Sequence, residues 1–204
     1  SPIEFIPLLE DNDLIVPVGR WILREVARQV KKWENDLDDG FQIAINISVK
    51  QMMHPDFMND IKSIIEEVGI SPCSLIFEIT ETVAVQNSEL ATVLLTELND
   101  YGVQTALDDF GTAYSSLNYL RLLPINRVKI DKAFTAQLEK DTKVDAIVES
   151  IIDLSHRLDF DVVAEGVETG AVLDKLHQMG CDQAQGYYIS KPMSTEMITD
   201  WLQS

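Results

Sequence analysis

The sequence predicts an α/β fold, a TIM-like parallel (β/α) barrel that is N-terminally truncated to about six of its eight strands. Six apolar, β-branched runs alternate in strict order with amphipathic helical stretches. The runs are apolar at nearly every residue until their last positions, which is typical of parallel strands covered by helices on both faces. A doubly wound sheet shares this pattern, and a complete barrel has eight strands. We therefore expect the opening strand pair to be missing.

Each element follows from local periodicity and from the residues that end it. The predicted strands are Phe41–Ser48, Ser74–Thr80, Gln104–Phe110, Arg127–Asp131, Asp161–Glu168 and Gln185–Ser190. The predicted helices are Val16–Leu37, Pro55–Val68, Asn87–Tyr101, Val144–Leu158, Ala171–Met179 and Thr195–Leu202, with a shorter candidate at Ser115–Leu122. Gly69, Gly102 and Gly180 follow helical runs, where a left-handed cap favours glycine.

Composition limits the classes of function. The length of 204 residues suits one domain, and we assign residues 1–204 to it. The net charge is −18. This charge argues against a nucleic acid polymer as partner, because such binding needs clustered Lys and Arg. Two separated cysteines fit a reducing compartment, and no apolar run approaches the roughly 20 residues that span a bilayer. The chain opens at Ser1 without a methionine, so we expect upstream sequence, where a membrane tether could lie.

Polar side chains lie within or at the end of five predicted strands and at the start of the sixth. In chain order they are Asn46, Glu78, Glu81, Asp108, Asp109, Lys129, Asp131, Glu165, Glu168 and Gln185. In barrels, the carboxyl ends of the strands build the active site. Carboxylates crowded there repel one another unless they are protonated or neutralised by cations. Oxygen donors without thiolate or imidazole favour hard ions such as Mg²⁺, Mn²⁺ or Ca²⁺.

Two features sharpen this metal-site hypothesis. The adjacent pair Asp108-Asp109 could bridge two ions about 3.5–4 Å apart, as two-metal phosphoryl-transfer sites require. Lys129 in such a ring would orient a water molecule or meet a phosphate oxygen. Simpler alternatives stay open: a single acidic residue at a strand end is commonly a helix cap or a solvated loop residue. Lys129 and Asp131 share a strand face and could form an internal ion pair.

Seven segments of the chain resemble EAL domains in order and spacing. They are Phe5–Pro7 with Glu10, Ala44–Ser48 (AINIS), Phe77–Thr82 (FEITET), Leu107–Leu117 (LDDFGTAYSSL), Val128–Asp131 (VKID), Ala164–Thr169 (AEGVET) and Gln185–Tyr187 (QGY). On these motifs the sequence is identified as a member of that family. The resemblance implies a TIM-like barrel that hydrolyses the bacterial second messenger cyclic di-GMP to linear pGpG with two Mg²⁺ or Mn²⁺ ions.

The resemblance also implies which residues hold the metals. Asn46, Glu78 and Asp108 are similar to the ligands of the first ion. Asp108, Asp109 and Glu165 are similar to the set around the second ion and its hydrolytic water. Glu165 also resembles the residue proposed as general base.

The remaining strand-end residues resemble supporting groups of the family. Lys129 is similar to the lysine that holds the water and the scissile phosphate. Glu81 resembles the glutamate that anchors the loop after the paired aspartates. Asp131 and Glu168 resemble supports for the lysine and the metal shell, and Gln185 resembles a glutamine that lines the site.

Two departures from the family pattern bear on activity. The Glu-Ala-Leu signature, whose glutamate is a metal ligand in the family, is absent and would lie upstream of Phe5. Ala113 stands where the family loop usually has glycine, and that loop is thought to link dimerisation to metal binding. A catalytically impaired domain that acts as a cyclic di-GMP receptor or regulatory dimerisation module is therefore the alternative.

The resemblance carries expectations about context as well. It implies a cytoplasmic domain of a bacterial signalling protein. It also implies a homodimer and an upstream sensor or GGDEF domain.

Overall fold

The computed structural model describes residues 2–34, 40–81, 84, 88–111 and 120–202. The strands are β1 (Ile43–Asn46), β2 (Leu75–Thr80), β3 (Gln104–Phe110), β4 (Arg127–Ile130), β5 (Asp161–Ala164) and β6 (Gln183–Ala184). The helices are α1 (Pro2–Asp11), α2 (Ile15–Trp33), α3 (Val49–Met52), α4 (Phe57–Val68), α5 (Ser88–Tyr101), α6 (Lys132–Thr135), α7 (Thr142–Arg157), α8 (Gly170–Gln178) and α9 (Thr195–Leu202). A single 3₁₀ turn, Pro72–Ser74, precedes β2.

The six strands form one parallel sheet in sequential order, β1 to β6, curled into a half-barrel. Sequential order with a helix in most crossovers is the arrangement of a (β/α) barrel. The doubly wound alternative is wrong, since it would reverse the strand order partway across the sheet. The register places Asn46 beside Glu78 and Thr80 beside Asp108. Polar residues from neighbouring strands therefore reach one rim.

Two hydrophobic clusters hold the helices against the outside of the sheet. The first includes Phe77 of β2 and Leu95 of α5, both with no exposed surface, and Ile61 of α4. The second packs Ile152 of α7 and Leu176 of α8 against β4 and β5. Burying side chains of this size stabilises each by about 1.5–3 kcal/mol relative to exposure. The strands are buried on this face by helices, as the continuous apolar runs predict.

Most predicted elements agree with the structure to within a few residues, and β3 and α9 agree fully. The helices α1, α3 and α6 were not predicted. Pro7 inside α1 signals a helix break, and α3 and α6 are single turns too short to show periodicity. Residues 115–119 of the predicted helix Ser115–Leu122 lie outside the described residues. Asn87, the first residue of the predicted helix Asn87–Tyr101, also lies outside them. Within the described part of the chain, no helix combines the length and apolar character needed to cross a membrane.

The predicted strand Gln185–Ser190 is wrong. The sixth strand ends at Ala184, and the chain then turns around Val167, whose N–H donates to the Gln185 carbonyl at 3.0 Å. The Val167 carbonyl accepts from the Tyr188 N–H at 3.0 Å. The predicted strand Asp161–Glu168 likewise ends early, at Ala164, because Gly166 adopts a left-handed φ of 67°.

Gly186 makes this turn possible by its close approach to another backbone segment. A Cβ atom at this position would lie 2.1 Å from the Val167 carbonyl oxygen and 2.3 Å from its nitrogen. Neither atom can move without breaking the hydrogen bonds that Val167 makes. By contrast, Gly180 has a φ of 81° but no atom within 4 Å of its Cβ position.

Gly186→Ala should therefore destabilise the fold more than Gly180→Ala. We expect a loss of about 3 kcal/mol from overpacking at Gly186. At Gly180 we expect about 1 kcal/mol, from the left-handed conformation alone. Urea denaturation followed by circular dichroism measures both free energies of unfolding. Equal losses would show that the Gly186 backbone moves away freely.

Candidate active site

The structure gathers most of the predicted strand-end residues at the carboxyl rim of the sheet. Asn46 ends β1, Glu78 lies in β2, and Lys129 lies in β4. Glu165 follows β5 directly, and its N–H donates to the Ile130 carbonyl at 3.0 Å. Gln185 follows β6 in the same way, with its N–H donating to Ala164 at 2.8 Å. Parallel pairing thus continues past the strand ends and carries these side chains to one place.

Lys129 is the centre of the cluster. Its Nζ lies 2.9 Å from Glu78 Oε1, 3.1 Å from Asp108 Oδ1 and 2.6 Å from Glu165 Oε1. The lysine is 4% exposed, so the ammonium is held away from bulk water. Burial alone lowers the pKa of Lys129, but the charge of Glu78 and the other carboxylates outweighs it, and the net shift is upward. The lysine therefore remains a cation.

The carboxylates around Lys129 are short of positive charge. Burial raises the pKa of Glu78 and of Glu165, and their bonds to Lys129 only partly offset it. Asp108 raises both pKa values further by like-charge repulsion. One ammonium thus faces three carboxylates in a region of low water content. Such a site gains free energy from additional cations.

Asp109 joins the cluster through an unusual backbone turn. In a regular strand, Asp108 and Asp109 would point to opposite faces of the sheet. Here Asp109 has a φ of 57°, and the pairing of β3 with β4 shifts register between Leu107 and Phe110. The pKa of Asp109 is raised by burial and then by the charges of Asp108 and Asp131. A bulge of this kind re-aims a side chain, and both aspartates now act on the same cluster.

The segment after Asp109 is held from the side of β2. Glu81 is 4% exposed, and its Oε2 accepts the Gly111 N–H at 3.2 Å. Gly111 has a φ of 93°, which suits glycine. Glu81 thus contacts the segment for which its anchoring role is predicted. Gly111 is not among the predicted site residues, although a glycine placed directly after an apolar strand signals such a turn.

Asp131 and Glu168, which were expected to support Lys129 and the metal shell, do not lie among the carboxylates that contact the Lys129 ammonium. Asp131 caps α6 by accepting the Ala133 N–H at 2.8 Å, and its charge contributes to the raised pKa of Asp109. The alternative of an internal Lys129–Asp131 ion pair is wrong, because the Lys129 ammonium is taken up by carboxylates of other strands. Glu168 is exposed on the loop before α8, three residues beyond Glu165.

The donor set fits divalent metal ions by charge and chemistry. Among the described residues, no group of three acidic, histidine or cysteine side chains is spaced to hold a metal ion, and three of the carboxylates contact the Lys129 ammonium. The groups at the rim are nevertheless hard oxygen donors in excess over the one ammonium. Mg²⁺ and Mn²⁺ prefer such donors. Beneath the rim, a cavity of about 350 Å³ is lined by Glu78, Lys129 and Gln185 among other residues.

A parallel (β/α) half-barrel with a carboxylate cluster at its carboxyl rim defines a class of candidate metal-dependent enzymes. Residues 1–192 match the family described as EAL domain, and the chain belongs to the EAL domain family.

Several characterised proteins are similar to this chain. The bifunctional diguanylate cyclase/cyclic di-GMP phosphodiesterase MucR of Pseudomonas aeruginosa is 37% identical over 198 residues, which are 97% of this chain and 29% of that protein. The cyclic di-GMP phosphodiesterase PdeR of Escherichia coli is 34% identical over 200 residues, which are 98% of this chain and 30% of that protein. The chain thus spans less than a third of the length of these relatives.

The fold agrees with solved structures as well. A structure of the PaMucR phosphodiesterase in complex with c-di-GMP superimposes with a TM-score of 0.92 at 37% identity. The match covers 97% of this chain and 80% of that chain. The TIM-like barrel class predicted from the sequence is therefore confirmed.

Removal of the Lys129 charge should destabilise the metal-free protein strongly. In Lys129→Met, one buried and two partly exposed carboxylates lose their shared cation, for which we expect a loss of about 3 kcal/mol. Urea denaturation in the presence of EDTA measures this loss. The matched control is Lys175→Met, because Lys175 pairs with one partly exposed carboxylate, Asp145, at 2.6 Å. The control should lose less, and equal losses would contradict the central role of Lys129.

Proposed function

We propose that this chain forms the catalytic part of a metal-dependent phosphodiesterase that hydrolyses cyclic di-GMP to linear pGpG. The observation that carries the proposal is the convergence of Glu78, Asp108 and Glu165 on the buried ammonium of Lys129. Family membership supports it, since MucR and PdeR are both named as cyclic di-GMP phosphodiesterases. The solved MucR structure is named as a complex with c-di-GMP, which supports the same ligand here.

Five rim residues would hold two Mg²⁺ or Mn²⁺ ions. Asn46, Glu78 and Asp108 would bind the first ion, and Asp108, Asp109 and Glu165 would bind the second. Bound ions supply Lewis acidity toward the phosphate and lower the pKa of a bound water molecule. Asn46 is exposed at the end of β1, where its amide oxygen is accessible.

The chain's own residues would position the reacting atoms. Glu165 lies at the rim with a raised pKa, which brings it closer to the operating pH of a general base. It would accept the proton of the attacking water. The water oxygen would then bond to phosphorus as the bond from phosphorus to the ribose 3′ oxygen breaks, and the 3′ oxygen would take up a proton from solvent to leave as the hydroxyl of pGpG. The Lys129 ammonium would donate hydrogen bonds to the water and to a phosphate oxygen.

Supporting roles follow from position. Glu81 would hold the turn after Asp109 through the Gly111 N–H, and Asp131 would act on Asp109 through its charge. Gln185 would present its amide to the ligand from the rim. For Glu168, exposure on the loop favours a role at the outer edge of the site rather than at Lys129.

The wider context is also proposed. A homodimer, an upstream sensor or GGDEF domain and a cytoplasmic location in a bacterium remain the expectations of the family resemblance. The length of the relatives supports additional domains, and MucR carries a second named activity as a diguanylate cyclase. Ala113, which bears on coupling between dimerisation and the site, lies outside the described residues. The receptor alternative is not favoured, because every predicted site residue in this chain retains its oxygen or amine group.

The decisive experiment measures cyclic di-GMP hydrolysis by the full-length protein that carries this chain. With Mn²⁺ present, we expect pGpG as the product. Glu165→Gln should lower kcat by about 100-fold or more, because the proton acceptor is lost. Chromatographic separation of the nucleotides provides the measurement.

The matched control is Glu149→Gln, which changes an exposed glutamate on the outer helix α7 and should leave kcat unchanged. Unchanged turnover in Glu165→Gln would overturn the proposed role of Glu165. Binding of cyclic di-GMP without turnover by the unaltered protein would instead establish the receptor alternative.

A further inference from the structure

Gly111 is in close contact with an aromatic ring that the proposed chemistry does not use. A Cβ atom on Gly111 would lie 2.9 Å from Cε2 and 3.1 Å from Cζ of Phe134. The ring edge therefore occupies the space that any side chain at position 111 would need. Gly111 is two residues beyond Asp109, and its N–H is bound by Glu81 on the other side of the turn.

Phe134 is itself tied to the other half of the site. It lies in α6, which begins directly after β4, and its N–H donates to the Asp131 carbonyl at 3.0 Å. Asp131, which caps α6, interacts electrostatically with Asp109, so α6 approaches the Asp109 turn at two points. The ring is half-buried, and Ile151 of α7 lies beside the same spot, 3.9 Å from the Cβ position of Gly111. Phe134 is thus held between the turn and an outer helix.

We propose that Phe134 is a positioning residue for the second metal ion, an inference that rests on the proposed function. The ring closes one side of Gly111, and the Glu81 carboxylate closes the other. Together they hold the turn in which Asp109 adopts a left-handed conformation. A non-glycine residue in that conformation is strained, and contacts that fix the turn favour it.

Loss of the ring should act on metal affinity more than on the chemical step. Without Phe134, Gly111 gains room, and the turn can relax toward the regular strand that points Asp109 away from Asp108. Part of the free energy of metal binding would then offset the cost of reforming the turn, so the measured metal affinity would fall. At saturating metal, the site is restored and kcat changes little. Outer partners that orient metal ligands commonly account for about 10–100-fold in metal affinity.

The test uses the full-length protein and Mn²⁺ as the probe. Isothermal titration calorimetry without nucleotide measures Mn²⁺ affinity for the unaltered protein, Phe134→Leu and Phe160→Leu. Phe160 is the matched control, because it is a buried phenylalanine at the opposite end of β5 from the rim. We expect Phe134→Leu to weaken Mn²⁺ binding by about tenfold. We expect Phe160→Leu to lower the melting temperature without this change.

Kinetics provides a second reading. In Phe134→Leu, the Mn²⁺ concentration for half-maximal turnover should rise, while kcat at saturating Mn²⁺ stays within about twofold of the unaltered value. A fall in melting temperature equal to that of Phe160→Leu, with unchanged Mn²⁺ affinity, would overturn the proposal. Such a result would mean that Phe134 only fills the core.

A double variant tests the contact itself. Gly111→Ala alone should weaken Mn²⁺ binding, because its Cβ meets the ring and its φ is strained. In the double variant of Gly111→Ala and Phe134→Leu, the steric conflict disappears. The loss of Mn²⁺ binding free energy in the double variant should therefore be smaller than the sum of the two single losses. Full additivity would overturn the contact. If the unaltered protein binds no Mn²⁺, the proposed metal site fails and this inference fails with it, whereas unchanged binding in Phe134→Leu refutes the inference alone.

Discussion

A buried ammonium shared by three carboxylates is the interaction on which the rest of this structure depends. Lys129 is 4% exposed, and Glu78 is 7% exposed. Moving such charges out of water is costly, and their mutual attraction compensates only when the geometry is good. Each partner comes from a different strand or strand end, so the compensation requires the register of β2, β3, β4 and β5 to be correct together. The cluster therefore specifies the half-barrel as well as the chemistry.

The same cluster is less stabilising than an apolar core would be, and it leaves an excess of negative charge at the rim. The three carboxylates have only one lysine cation, and burial raises the pKa values of Glu78 and Glu165 beyond what that cation offsets. An apolar core at this position would be more stable, because buried ion pairs commonly contribute less to the free energy of folding than well-packed hydrophobic side chains of similar volume. Because of this deficit of positive charge, an added cation would lower the free energy of the rim.

Much of the fold could be predicted because it depends on local pattern. The apolar runs of β2 and β3 and the end glycines of the helices required no knowledge of distant contacts. The sixth strand failed for a long-range reason, since the turn at Gly186 exists only where the Val167 backbone approaches it. The alternative ion pair between Lys129 and Asp131 is wrong for a similar reason. Asp131 is near in sequence and was expected on the same strand face, but the register places Glu78 and Glu165 closer to Lys129. Sequence patterns indicate which residues are polar, and only the pairing of strands decides which of them meet.

The paired aspartates show why a strained turn belongs at this rim. A parallel strand alternates its side chains, so a regular β3 could deliver Asp108 or Asp109 to the cluster, but not both. The left-handed φ of Asp109 and the register shift beside it remove that restriction. The strain must be offset by neighbours, and these are the Asp108 carboxylate that accepts the Asp109 N–H at 3.0 Å and Glu81 on Gly111. Two adjacent carboxylates that reach one cluster from one strand thus require fixed contacts around the turn, and this requirement accounts for the buried Glu81 that accepts the Gly111 N–H.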